Sequence, residues 1–110
     1  MQRDEFEVLE DEMADGTRRL ALCGELDMVS SPEVVARLEE LKEQGVAVRL
    51  DLTRLSFMDS TGVRALYTAV KNAQDDSTAL QIVPPEGEPW RVLEITGLHR
   101  ILPFVNDDAS

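Results

Sequence analysis

Val46-Ala47-Val48-Arg49-Leu50-Asp51-Leu52 alternates in character, and soon afterwards Leu55-Ser56-Phe57-Met58-Asp59-Ser60-Thr61-Gly62-Val63 leads into a run of helical spacing. In the first stretch Val46, Val48, Leu50 and Leu52 share one face, which predicts a strand with one strongly buried side. A helix begins near Ser60 and carries Val63, Leu66, Tyr67, Val70 and Ala73 along one side. It ends in the polar region from Asn72 to Ser77. Strand followed by helix is the unit from which parallel sheets are built, and the rest of the chain can be placed around it.

Downstream, Leu80-Gln81-Ile82-Val83 reads as a short strand stopped by Pro84-Pro85. Glu88-Pro89 opens a further helix, with Trp90, Leu93 and Thr96 inward and Gly97 as its stop. Arg100-Ile101-Leu102-Pro103-Phe104-Val105 is expected as a last strand. Pro103 has no N–H to donate, so that strand should lie at an edge or bend there. The tail from Asn106 to Ser110 is expected to fray.

Upstream, Phe6-Glu7-Val8-Leu9 and Arg19-Leu20-Ala21-Leu22-Cys23 flank an Asp15-Gly16 turn, which predicts a β-hairpin. Gly24-Glu25-Leu26-Asp27 then reads as a loop. The next helix is well marked: Ser31 as N-cap, Pro32 at the first helical position and Gly45 as the left-handed stop. Val34, Leu38 and Leu41 recur at helical spacing, Val35 widens the stripe, and Glu33, Arg37, Glu40 and Lys42 occupy the other face. The expected fold is α/β: a mixed, mainly parallel sheet of about five strands, backed by three or four helices with right-handed crossovers. No linker interrupts the pattern, so residues 1–110 are read as one domain with its core over about 5–106.

Composition narrows the function classes. Hydrophobic residues make up 43% of the 110 residues and charged residues 30%, a folded composition. A net charge of −11 repels phosphate backbones and anionic lipid, which argues against direct nucleic-acid or membrane binding. It suits solubility, and steering toward a basic patch on a protein partner. No apolar run approaches the roughly 20 residues of a membrane span, and the start, Met1-Gln2-Arg3-Asp4-Glu5-Phe6, has no apolar signal core. A cytoplasmic location is expected.

Cys23 is the only cysteine, which excludes an internal disulfide, and its place in an apolar run predicts a buried, inert thiol. One cysteine and one histidine, His99, without CxxC or HxxxH spacing, do not assemble a metal site. Gly-x-Ser-x-Gly is absent, so His99 has no nucleophile elbow to serve. No catalytic residue, metal ligand or cofactor is expected of the chain itself.

Attention therefore falls on Met58-Asp59-Ser60-Thr61-Gly62. Asp59 or Ser60 can accept hydrogen bonds from the first free N–H groups of the helix, and Gly62 lets another group approach its first turn closely. The partial positive charge of a helix N-terminus can also hold an added phosphate. Simple capping explains the same residues; the stretch alone does not decide between the two.

The wider pattern resembles the STAS domain of bacterial anti-sigma factor antagonists. The resemblance rests on Leu50-Asp51-Leu52-Thr53, then Phe57-Met58-Asp59-Ser60-Thr61-Gly62, with Gly24-Glu25-Leu26-Asp27 upstream and Gly97-Leu98 leading into Ile101-Leu102-Pro103. It implies that Ser60 is phosphorylated by an anti-sigma factor with a histidine-kinase-like ATPase fold, which uses ATP, and that a PP2C-type phosphatase reverses the mark. It further implies that the unphosphorylated chain binds the anti-sigma factor and releases the sigma factor, with Asp27, Asp59, Thr61 and Gly62 around the phosphosite. Met58, Ser60, Gly62, Val63 and Arg64 are expected to contribute to partner binding. Arg64 departs from the family, which often has a small residue there, and the family's last helix is expected to be short or missing.

Two other readings are compatible with the residues. A STAS module could serve in a stressosome-like assembly or beside a lipid-transport complex, and Asp27 with Asp59 could be the paired carboxylates of an enzyme.

Overall fold

The computed structural model describes residues 6–75 and 78–106. The opening hairpin pairs β1 (Glu7–Glu12) with β2 (Arg18–Leu26), antiparallel, across the Asp15-Gly16 turn. Helix α1 (Ser31–Glu43) follows, then β3 (Val48–Asp51), β4 (Leu55–Met58), α2 (Ser60–Asp75), β5 (Leu80–Val83) and α3 (Glu88–Thr96). A 3₁₀ turn at Leu98–Arg100 closes the series. Five strands form a mixed sheet, ordered β1-β2-β3-β5, with β4 on the other half of β2. Every pairing after the hairpin is parallel.

Strand β2 is the spine, and its length lets it serve two neighbours. Arg18 to Ala21 pair with β3, while Gly24 to Leu26 pair with β4. The expected loop at Gly24-Glu25-Leu26-Asp27 is therefore corrected: the first three residues extend β2, and the loop starts at Asp27. The β2–β4 register shifts between Gly24 and Glu25, where Gly24 has φ 105°: Gly24 faces Leu55 and Glu25 faces Phe57, which leaves Ser56 as an extra, bulged residue on β4. Strand β4 is absent from the sequence reading for the same reason. Leu55 and Met58 are buried while Ser56 and Phe57 are exposed, so the strand shows no alternation.

Leu20, Leu22, Leu26, Leu50, Leu52 and Ile82 form the sheet's contribution to the core. Leu41 and Val34 from α1, Leu66 from α2 and Leu93 from α3 close over it. Helices α1 and α2 pack together, and α3 lies against β4 and the 3₁₀ turn. Tyr67 and Thr96, expected inward, are exposed; the Thr96 hydroxyl returns to the Val92 and Leu93 carbonyls at 3.0 and 3.1 Å. Trp90 is half-buried against Phe104 and His99.

Three further expectations are adjusted. The N-cap of α1 is Ser30, with Ser31 the first helical residue. The last strand reduces to one parallel bridge, Phe104 to Ile82, at the edge beside β5; the Pro103 carbonyl accepts from the Ile82 N–H at 3.0 Å. Cys23 is half-buried, because it points to the sheet face away from Leu22. Residue 5, where the core is expected to start, and the tail beyond Asn106 fall outside the described residues.

One ion cluster ties the hairpin to α1. Glu10 accepts from Arg37 at 2.8 and 2.6 Å and from Arg18 at 2.7 Å. The Arg37 hydrogen bonds, reinforced by Arg18, bring the Glu10 carboxyl down to about 2. No helix among the described residues is long and apolar enough to cross a membrane.

Candidate partner-binding site

Strands β2 and β4 run side by side with Leu26 opposite Met58, so the chain leaves both at one edge of the sheet. Asp27 follows the first strand and Asp59 the second, and each precedes a helix. The Asp59 N–H donates to the Leu26 carbonyl at 3.2 Å, locking the two exits together. The parallel pairing thus brings two segments far apart in sequence to one place.

Asp59 is the N-cap of α2. Its Oδ1 accepts from the Gly62 N–H at 3.0 Å, and its carbonyl takes the first helical bond, from the Val63 N–H, also at 3.0 Å. Ser60, Thr61 and Gly62 are then the first three helical positions. Because Asp59 does the capping, the Ser60 hydroxyl is not needed for it. Ser60 and Thr61 are both exposed, and among the described residues neither hydroxyl has a hydrogen-bond partner.

Gly62 is buried, and a Cβ there would be driven into the Leu26 carbonyl oxygen and to 2.9 Å from Met58 Cγ. The close approach expected of this glycine is made by the chain's own β2, which removes Gly62 from any surface a partner could touch. Met58 is corrected in the same way. It is 1% exposed because β4 turns it inward under α2, so it supports the site from below. Val63 is half-buried, while Arg64, one turn beyond Ser60, is exposed.

The other exit is organised differently. Asp27 is buried, and its Oδ1 accepts from the N–H groups of Val29 at 3.0 Å and Ser30 at 3.1 Å. Ser30 Oγ donates to the Glu25 carbonyl at 2.6 Å and accepts from the Asp27 N–H at 3.0 Å. Asp27 neighbours the start of α2 through the strand pairing, with its carboxylate turned into its own loop. That tight loop lifts Met28 and Val29 out, at 71% and 73% exposure. The sequence reading missed these two. The available signal was a pair of apolar residues, set between Asp27 and Ser30-Ser31, in a segment otherwise built of turn formers.

The site is thus an exposed, unengaged hydroxyl at a helix start, at the same sheet edge as the Asp27 loop that exposes Met28 and Val29. It can accept a modifying group and present it to a partner. Among the described residues no group of three or more His, Cys, Asp and Glu is placed to hold a metal. His99 lies edge-on to Trp90 with ring centroids 5.9 Å apart.

Known proteins agree with this architecture. The STAS domain family profile matches residues 9–109. The anti-sigma-B factor antagonist of Listeria monocytogenes is 34% identical over 90 residues, which cover 81% of this chain and 79% of that one. The crystal structure of an anti-sigma factor antagonist from Mycobacterium paratuberculosis superimposes with a TM-score of 0.78 at 24% identity, covering 91% of this chain and 85% of that chain. The antagonist SpoIIAA in its unphosphorylated form gives 0.76 at 21% identity, covering 93% and 90%. Its phosphorylated form, from Bacillus, gives 0.70 at 21% identity, covering 93% and 94%. Shared sequence over most of the length, on a shared sheet order and helix arrangement, places the chain in the STAS-domain family of anti-sigma factor antagonists.

Proposed function

We propose that this chain is a non-enzymatic binding switch: unphosphorylated, it docks on an anti-sigma factor through the Ser60 end of α2, and phosphorylation of Ser60 ends that binding. The observation that carries the reading is the Ser60 hydroxyl itself, exposed and without a hydrogen-bond partner among the described residues, because Asp59 caps the helix instead. The partner is proposed to be an anti-sigma factor with a histidine-kinase-like ATPase fold. It holds ATP, Ser60 Oγ displaces ADP from the γ-phosphorus, and the hydroxyl proton leaves to a base of the partner. A PP2C-type phosphatase restores the hydroxyl by hydrolysis. The chain itself contributes no cofactor to either step.

The physical case is one of charge at a contact. A phosphoserine adds about −1.5 to −2 charge at neutral pH. Docking through Met28, Val29 and the start of α2 would require that charge to lose its water, beside Asp59 and Asp27 and in a chain already at −11. The helix dipole returns only about 0.3–1 kcal/mol at an exposed site. A net penalty of about 4 kcal/mol lowers affinity roughly a thousandfold.

The test uses the purified cognate anti-sigma factor. With ATP it should label the wild-type chain and leave Ser60→Ala unlabelled, and Ser60→Asp should bind far more weakly. Label on Thr61, or undiminished affinity of the Ser60→Asp chain, overturns the reading.

A further inference from the structure

Resting on that reading, we propose that Arg64 receives the phosphate of phosphorylated Ser60, so that the modified state is defined by an ion pair within α2 as well as by added charge. Arg64 is exposed and, among the described residues, has no carboxylate partner; Arg18, Arg19, Arg37 and Lys42 have one, while Arg54, Lys71, Arg91 and Arg100, like Arg64, have none. Helix α2 gives it none: its sequence, STGVRALYTAVKNAQD, carries no acidic residue before Asp75, in a chain holding 22 acidic residues. The acid that would complete a helical pair is missing at position 60, one turn back.

The geometry suits an anion placed there. Residues four apart on a helix are surface neighbours, and the pair is strongest with the acid on the N-terminal side. A long helical side chain leans toward the N-terminus and covers the preceding turn, which for Arg64 is the turn that holds Ser60. Arg64 lines a shallow groove between α1 and α2 with Pro32, Val35, Thr61, Ala65 and Thr68, against which its apolar stem can rest. A guanidinium fork matches the oxygens of a phosphate. Asp59, the N-cap, precedes Ser60 directly on α2, Asp27 lies at the neighbouring exit, and Arg64 stands one turn further along the helix. Of these Arg64 alone is positive.

The consequence is a switch with two parts. Phosphorylation places a dianion at the docking end, and it withdraws a cation that the unmodified surface offers to a partner. The Arg64 pair returns too little, at an exposed site, to cancel the cost of desolvating the phosphate.

The experiment uses the full chain with phosphoserine incorporated at position 60 during translation, so no kinase is needed. The phosphate is titrated by phosphorus NMR in wild-type, Arg64→Gln and Arg64→Lys backgrounds. A nearby cation favours the dianion, so Arg64→Gln should raise the phosphate pKa by roughly 0.3 units. Arg64→Lys should titrate close to wild type, and the difference should shrink in 1 M salt, where the screening length is about 3 Å. Equal midpoints for the wild-type and Arg64→Gln chains would overturn the pairing, as would a lysine variant that follows the glutamine one. Affinity of the same phosphorylated chain for the anti-sigma factor reports separately on the switch, so the two ideas fail independently.

Discussion

The two exits at the edge of the sheet are built from the same residue types and have opposite characters. At the end of β2, Asp27 and Ser30 turn inward on each other and on the Glu25 carbonyl, and the serine is buried with its hydroxyl engaged. At the end of β4, Asp59 takes the capping role alone, and the adjacent Ser60 is left exposed with a free hydroxyl. The difference is one of spacing. Two residues separate Asp27 from Ser30, enough for the side chains to close a turn, whereas Ser60 directly follows its aspartate and is carried outward by the first helical turn. One exit is a latch, and the other is a handle.

The comparison can be broken most sharply at Gly62, where the two exits touch. Gly62→Ala forces a methyl group onto the Leu26 carbonyl and Met58, and overpacking against backbone should cost about 3 kcal/mol in a denaturant melt. A neutral substitution would mean that the exits are not wedged together. Next come the serines. Ser30→Ala leaves the Glu25 carbonyl and the Asp27 N–H without their partner and should cost about 1–3 kcal/mol. Ser60→Ala should stay within about 0.5 kcal/mol of wild type. Equal losses would erase the distinction between latch and handle.

A small effect at Glu10 serves as a reference, because Glu10 lies in the hairpin away from both exits. Its carboxyl is held at about 2, below its ordinary value of 4.5, chiefly by Arg37. Its contribution is therefore complete above pH 4.5 and is lost as the pH falls toward 2. Solvent exposure keeps that contribution under about 1 kcal/mol. Glu10→Gln should flatten the stability–pH curve in that window, and a curve identical to wild type would show that the cluster adds nothing.

Much of the fold was legible because the helices announce themselves. Pro32, Gly45, Pro89 and Gly97 punctuate α1 and α3, and Leu66, Val70 and Ala73 trace the buried stripe of α2. What escaped was β4 and the second half of β2. In β4 the extra residue, Ser56, breaks the alternation that a strand is recognised by, whereas β2 keeps its period through Leu20, Leu22 and Leu26 and was hidden by the turn-forming residues Gly24 and Asp27. Met58 shows the same limit: beside Ser60 in sequence it looks like part of a contact surface, yet the inward turn of β4 puts it in the core.

Local order along the chain determined the three helices, a cap at Asp59 or Ser60 and the candidate hydroxyl at Ser60. These follow from side chains acting on backbone groups within a few residues, so they can be read from adjacent letters. Only the tertiary structure decided that Asp59 and not Ser60 caps α2, that Asp27 and Asp59 share an edge, that Gly62 is sealed by Leu26, and that Met28 and Val29 are exposed. Those facts come from parallel pairing of β2 with β4, a contact between segments about thirty residues apart whose register no local pattern encodes.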